Sequence, residues 1–151
     1  MRGLAERLHA GATALDAWVP SKNGRLLAYS IQDGGSDWRT IKVLDVTTGK
    51  VVGKHETPYP NLAGILATPD LVFSGEPSGQ VYALDAKSLQ RLWEFNTGGG
   101  VNAPPMTFSV DGKQYVAILV GLGGAWDKWF IDSTPELKKI QPGSMLYVFA
   151  L

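Results

Sequence analysis

The sequence contains no cysteine and only two histidines, His9 and His55. No disulfide can hold the fold, thiolate chemistry is excluded, and the usual four-ligand zinc sites cannot be assembled from these residues. Net charge is also lacking, because fourteen basic residues balance fourteen acidic ones. Without a long-range positive field, general binding to nucleic acid or to an anionic membrane is not expected. The apolar runs are short and interrupted by glycine, and the opening MRGLAERLHAGATALDAW carries charge at Glu6 and Arg7 where a signal peptide would be apolar. A soluble chain is expected, with its compartment unassigned and a recombinant origin left open.

What is present fits one domain: 151 residues, 44% hydrophobic and 19% charged, enough to form a real core. Eighteen glycines and nine prolines are scattered between short β-rich runs, which favours many turns over a low-complexity chain. Residues 1–12 read as an arm or a short helix, and residues 13–151 as a β domain. WVP, RLLAYSIQ, TIKVLDV and KVVGKHE read as four strands, and LAGILAT, DLVFSG, GQVYALDA and RLWEFN repeat their order. A third group contains APPMTFSV, QYVAILVG and SMLYVFAL, lengthened by an inserted loop at about 125–142 in which Thr134, Pro135 and ELKKI predict a capped, brief helix.

The repeat has a measurable period. Asp45 and Asp85 end corresponding strands forty residues apart, and Leu27, Val72 and Val116 recur at intervals of forty-five and forty-four. These are blade-sized intervals. The expected fold is all-β, with β-propeller-like four-stranded antiparallel blades in two full units plus a partial third. Three units do not readily close a ring, so completion by self-association is expected, with a homodimer supplying six blade-like units.

Two families share these patterns. Residues 62–151, from LATPDLVFSGEPSGQVYALDAKSLQRLWEFNTGGGVNAPPMTFSVDGKQYVAILVGLGGAW to LYVFAL, resemble the carboxy-terminal propeller region of quinoprotein alcohol dehydrogenases, which use pyrroloquinoline quinone (PQQ) and usually calcium. Residues 13–50, with NGRLLAYS and GSDWRT, resemble a propeller blade of the prolyl oligopeptidases. The junction between them, somewhere from Lys50 to Leu62, suggests a recombined or engineered propeller chimera. The prolyl oligopeptidase likeness stops within the propeller, so it implies no hydrolase triad; Ser30, Asp33 and His55 also lack a nucleophile-elbow context.

The quinoprotein likeness implies that GLGGAW lies near the quinone, which makes Gly123, Gly124 and Trp126 the candidate cofactor contacts. That family's usual tryptophan and paired glycines before LAT are replaced here by Asn61, Leu62, Ala63 and Gly64. Trp93, after YALDA, matches its tryptophan-docking pattern, a joint between neighbouring blades.

From the residues themselves, Trp18, Trp38 and Trp93 are expected as core or inter-blade anchors, and Trp126, Trp129 and Phe130 of AWDKWF as an edge-covering segment or subunit interface. Asp45 and Asp85 are expected to hydrogen-bond within turns, while Gly49 and Gly79 should relieve backbone constraint. Asp33, Asp37 and Asp127 are too scattered to supply six to eight calcium ligands. The resulting expectation is a structural, self-assembling chain without catalytic residues, metal site, cofactor or turnover. The alternative is a PQQ-binding remnant of a quinoprotein alcohol dehydrogenase, with calcium.

Overall fold

The computed structural model describes residues 13–34, 38–60, 62–122, 132–140 and 143–151. They form three antiparallel sheets in chain order. The first contains β1 (Ala14–Pro20), β2 (Leu26–Gln32), β3 (Trp38–Asp45) and β4 (Lys50–Pro60). The second contains β5 (Leu66–Ala67), β6 (Leu71–Gly75), β7 (Gln80–Asp85) and β8 (Arg91–Asn96), and the third β9 (Met106–Val110), β10 (Lys113–Val120) and β11 (Met145–Ala150). Each is a meander of neighbouring strands, so the expected blades, two full and one partial, are present.

The register explains the spacing read from the sequence. Leu27 pairs with Leu44, Val72 with Leu84 and Val116 with Phe149, three equivalent positions in successive sheets. Because side chains alternate across a strand, each sheet has two faces, and the middle sheet turns one toward the first sheet and the other toward the third. Ala28, Ile41 and Val43 meet Val72, Tyr82 and Leu84 in the first joint. Phe73 and Ala83 meet Val116, and Val81 meets Ile118 and Val120, in the second. The middle sheet is therefore covered on both faces, which is why VYAL is continuously apolar where a half-exposed strand would alternate. Each fully buried aliphatic side chain there contributes about 2 kcal/mol.

Turn chemistry follows the same period. Asp45 Oδ1 accepts the Thr48 amide at 2.8 Å, and Asp85 Oδ1 accepts the Ser88 amide at 2.7 Å. These bonds hold both carboxyls below the usual carboxylate range. Gly49 and Gly79 adopt φ values of 68° and 92°, conformations that favour glycine.

Two local differences from expectation have identifiable causes. LAGILAT shrinks to the two-residue β5, since Ser74 Oγ donates to the Gly64 carbonyl at 3.1 Å and Gly64 lies against Pro104. The brief helix is a 3₁₀ turn, Pro135–Lys139, with Thr134 at its N-cap and buried Leu137 packed among Tyr59, Leu62, Leu122 and Ile140.

Candidate functional site

Antiparallel alternation carries several connections to one end of the stack. The β4–β5 link (residues 62–65), the β6–β7 turn (76–79), the β8–β9 link (97–105) and the end of β10 meet there through backbone bonds. Val101 donates to the Glu76 carbonyl at 3.0 Å, Thr97 to Gly79 at 2.9 Å, and Gly121 to Gly100 at 2.7 Å. Tyr147 donates its hydroxyl to the Thr97 carbonyl at 2.9 Å, which ties in the third sheet. Gly100 leaves room for the Leu122 side chain, which a Cβ there would overlap and displace.

Polar groups gather around this scaffold. Arg39 pairs with Asp16 at 2.9 Å and donates to the Ala63 carbonyl at 3.4 Å, while Ser30 donates to Asp16 at 2.8 Å. The first sheet thereby positions the link that leads into the second. Among the described residues, buried Gln80 Oε1 and Asn102 Oδ1 have no hydrogen-bond partner. A buried amide with unused capacity is costly unless something else satisfies it.

A second polar group lies inside the first joint. The His55 ring lies 5.1 Å from that of Tyr82, and the Arg91 guanidinium carbon lies 4.6 Å from the same Tyr82 ring centroid. Arg91 also reaches Glu76 at 3.5 Å and Glu94 at 2.7 Å. Burial raises the Glu76 carboxyl above its ordinary range, with Ser78 and Arg91 opposing the shift. Burial followed by the Arg91 charge lowers His55, and burial raises Tyr82. Among these groups Glu76 is an acid that resists ionisation, and His55 a base that resists protonation.

The positions proposed from sequence separate clearly. Gly123, Gly124, Trp126, Trp129 and Phe130 lie outside the described residues, as do His9, Asn61, Asp37 and Asp127. Trp18 and Trp38 belong to no core cluster of the single chain, being 62% and 43% exposed on the face of the first sheet that no other sheet covers. Trp93 meets Phe149 of the third sheet edge-on, with ring centroids 5.0 Å apart. Ser30, Asp33 and His55 are not gathered: Ser30 donates to Asp16, Asp33 accepts from Thr13, and His55 faces Tyr82. Sequence inspection missed Glu76, Gln80, Arg91 and Asn102. A carboxylate inside the otherwise small and uncharged SGEPSG turn was the one available signal; Asn102 had none.

An apolar groove of about 510 Å³ opens between the second and third sheets beside Trp93 and Phe149. Its lining side chains, including Phe73, Val116 and Phe149, are apolar apart from the indole N–H of Trp93, so the groove offers shape with little to orient a reactant. Among the described residues, no group of three or more histidine, cysteine, aspartate or glutamate side chains could hold a metal ion. No helix among them is long and apolar enough to cross a membrane.

Comparison with known proteins shows similarity to two families. The model of the prolyl oligopeptidase N-terminal β-propeller domain matches residues 6–83. This match ends within β7, past the interval from Lys50 to Leu62 where the two resemblances were expected to meet. Quinoprotein alcohol dehydrogenase PedE from Pseudomonas putida is 42% identical over 113 residues, which cover 74% of this chain and 18% of that protein. A europium-containing methanol dehydrogenase superposes with a TM-score of 0.69 at 24% identity, over 90% of this chain and 32% of its own, and so shows the fold. A prolyl endopeptidase superposes with a TM-score of 0.58 at 27% identity, over 93% and 19%.

The chain thus spans less than a fifth of the curated relative's length. One expectation is overturned: a chain set apart from enzymes does not accord with repeated similarity to proteins named as alcohol dehydrogenases, at 38–42% identity in the first four relatives. With over half of its residues matched, the chain belongs to the prolyl oligopeptidase N-terminal β-propeller domain family, and its similarity to quinoprotein alcohol dehydrogenases extends over 74% of its length.

Proposed function

We propose that this chain forms part of the quinone-binding propeller of a PQQ-dependent alcohol dehydrogenase. The observation that carries the reading is 42% identity to a quinoprotein alcohol dehydrogenase over 113 residues, far more than a shared β-sheet pattern requires. The end of the stack where the sheet connections meet is the site that suits it, because this end combines close-packed backbone with buried amides whose capacity is unused.

As acceptors, Asn102 Oδ1 and Gln80 Oε1 would take hydrogen bonds from the cofactor's ring N–H or from water bound with it, and Arg39 would contribute positive charge while its bond to Ala63 keeps the preceding link in place. The quinoprotein resemblance adds Gly123, Gly124 and Trp126 as candidate cofactor contacts. When bound, the quinone supplies the two-electron acceptor chemistry, and the protein's part is to bind, orient and exclude water. The described residues provide no calcium cage, so no step is assigned to a metal.

An alcohol-dependent dye-reduction assay with added PQQ and calcium tests the reading. Reduction that requires chain, quinone and alcohol together supports it. No reduction above the quinone-only control, with intact fold by circular dichroism, counts against turnover by this chain.

A further inference from the structure

The two joints within the molecule are built alike, and each end of the stack presents one half of such a joint. Ala28 and Val43 in the first sheet, Phe73 and Ala83 in the second, and Ala117 and Val148 in the third are equivalent cross-strand pairs. The first two pairs are buried against the next sheet. Among the described residues, no sheet packs against the third pair. Around it Met106, Phe108, Val110, Leu119, Leu146 and Val148 are 42–57% exposed. Together they form an apolar patch on the order of 500–600 Å², at the upper end of what monomeric proteins leave open.

At the opposite end, Leu27 and Leu44 are equivalent to Val72 and Leu84, which receive the first sheet, and to Val116 and Phe149, which receive the second. This face has a buried floor of Tyr29 and Ile31 and exposed flanks of Leu15, Trp18 and Val51. The open face of the third sheet is built in the same way, with Ala117 as a floor 2% exposed.

We infer that two copies of this chain associate head to tail, the third sheet of each packing on the first sheet of the other through the joint already used twice within the chain. Continuity with those joints selects the partner: the third sheet presents the half that the first sheet is built to receive. Two such contacts related by a two-fold axis close six sheets, leaving neither face exposed. Trp18, 62% exposed in the single chain, becomes the aromatic anchor of the contact.

Sedimentation velocity over a concentration series tests this with the 151-residue chain. The expected species has twice the 16.3 kDa of one chain. Val148→Glu and Trp18→Lys alter side chains that are 48% and 62% exposed, so each variant should keep its circular dichroism spectrum. Each alone should weaken the dimer roughly thirtyfold or more, the effect of losing a hot-spot contact. Mixed one to one, the two variants should form dimers again, because the mixed pair retains one unaltered contact. A wild-type chain that stays monomeric, forms open polymers, or gives folded variants that fail to pair when mixed overturns the proposal. Since the readout is mass without quinone, its failure is distinct from failure of the PQQ reading.

Discussion

Leu89 sits over Gly53. A Cβ built on Gly53 in β4 would lie 3.0 Å from Leu89 Cγ and 2.5 Å from the Lys87 carbonyl, so the missing side chain makes room for the β7–β8 turn. Leu89 itself has φ 56°, at the position equivalent to Gly49 in the first sheet. A leucine there costs roughly 1–2 kcal/mol in backbone strain, and the cost is offset by near-complete burial of its side chain in the first joint.

Substitutions at this pair have a defined order. Gly53→Ala should destabilise the chain by about 2 kcal/mol through overpacking. Leu89→Ala should cost about 2–3 kcal/mol, whereas Leu89→Gly should cost no more, because relief of the left-handed backbone compensates for the further loss of side chain. Urea denaturation monitored by tryptophan fluorescence measures all three. A Leu89→Gly variant markedly weaker than Leu89→Ala would show that strain is not stored at the turn.

The second joint depends on an aromatic contact. Trp93 meets Phe149 edge-on at 5.0 Å, and Phe95 meets Phe149 at 5.4 Å. A double-mutant cycle of Trp93→Ala and Phe149→Ala should give a coupling of about 1 kcal/mol, the ordinary worth of a well-oriented aromatic pair. Additive losses would remove Trp93 as a specific tie between the sheets.

The first joint should respond to pH through two opposing groups. His55 has a folded pKa below its ordinary 6.5, so the unfolded chain binds its proton more readily; its stabilising contribution is complete above about pH 6.5 and is lost as pH falls toward the lowered value. Glu76 has a folded pKa above 4.5, so its contribution is present at low pH and is lost as pH rises from 4.5 through the raised value. Thermal melts of His55→Gln should lose the acid-side decline, and those of Glu76→Gln the decline on the rising side. Unchanged pH profiles in both variants would exclude the joint as the source.

Much of this architecture was legible because it repeats. The equivalence of Asp45 with Asp85, and of Leu27 with Val72 and Val116, reflects the shared register of three meanders, and the continuous apolar run at VYAL reflects a sheet covered on both faces. The site was less legible because it depends on connections, where no period applies. Nothing local to Asn102 shows that its amide oxygen is buried without a partner among the described residues; that follows only when the β8–β9 link folds back against the β6–β7 turn. Leu89 was hidden for the opposite reason: it occupies a glycine position, and packing across the joint overrides its backbone preference.

Isothermal titration of the purified chain with PQQ tests the central claim most directly. Saturable binding at one site per chain is expected, with affinity reduced about fivefold to tenfold by Asn102→Ala, the effect of losing one neutral hydrogen bond accepted by the amide oxygen. The variant should retain the wild-type circular dichroism spectrum. Absence of saturable binding to the folded wild-type chain, or equal affinity in the folded variant, would contradict the proposed quinone site.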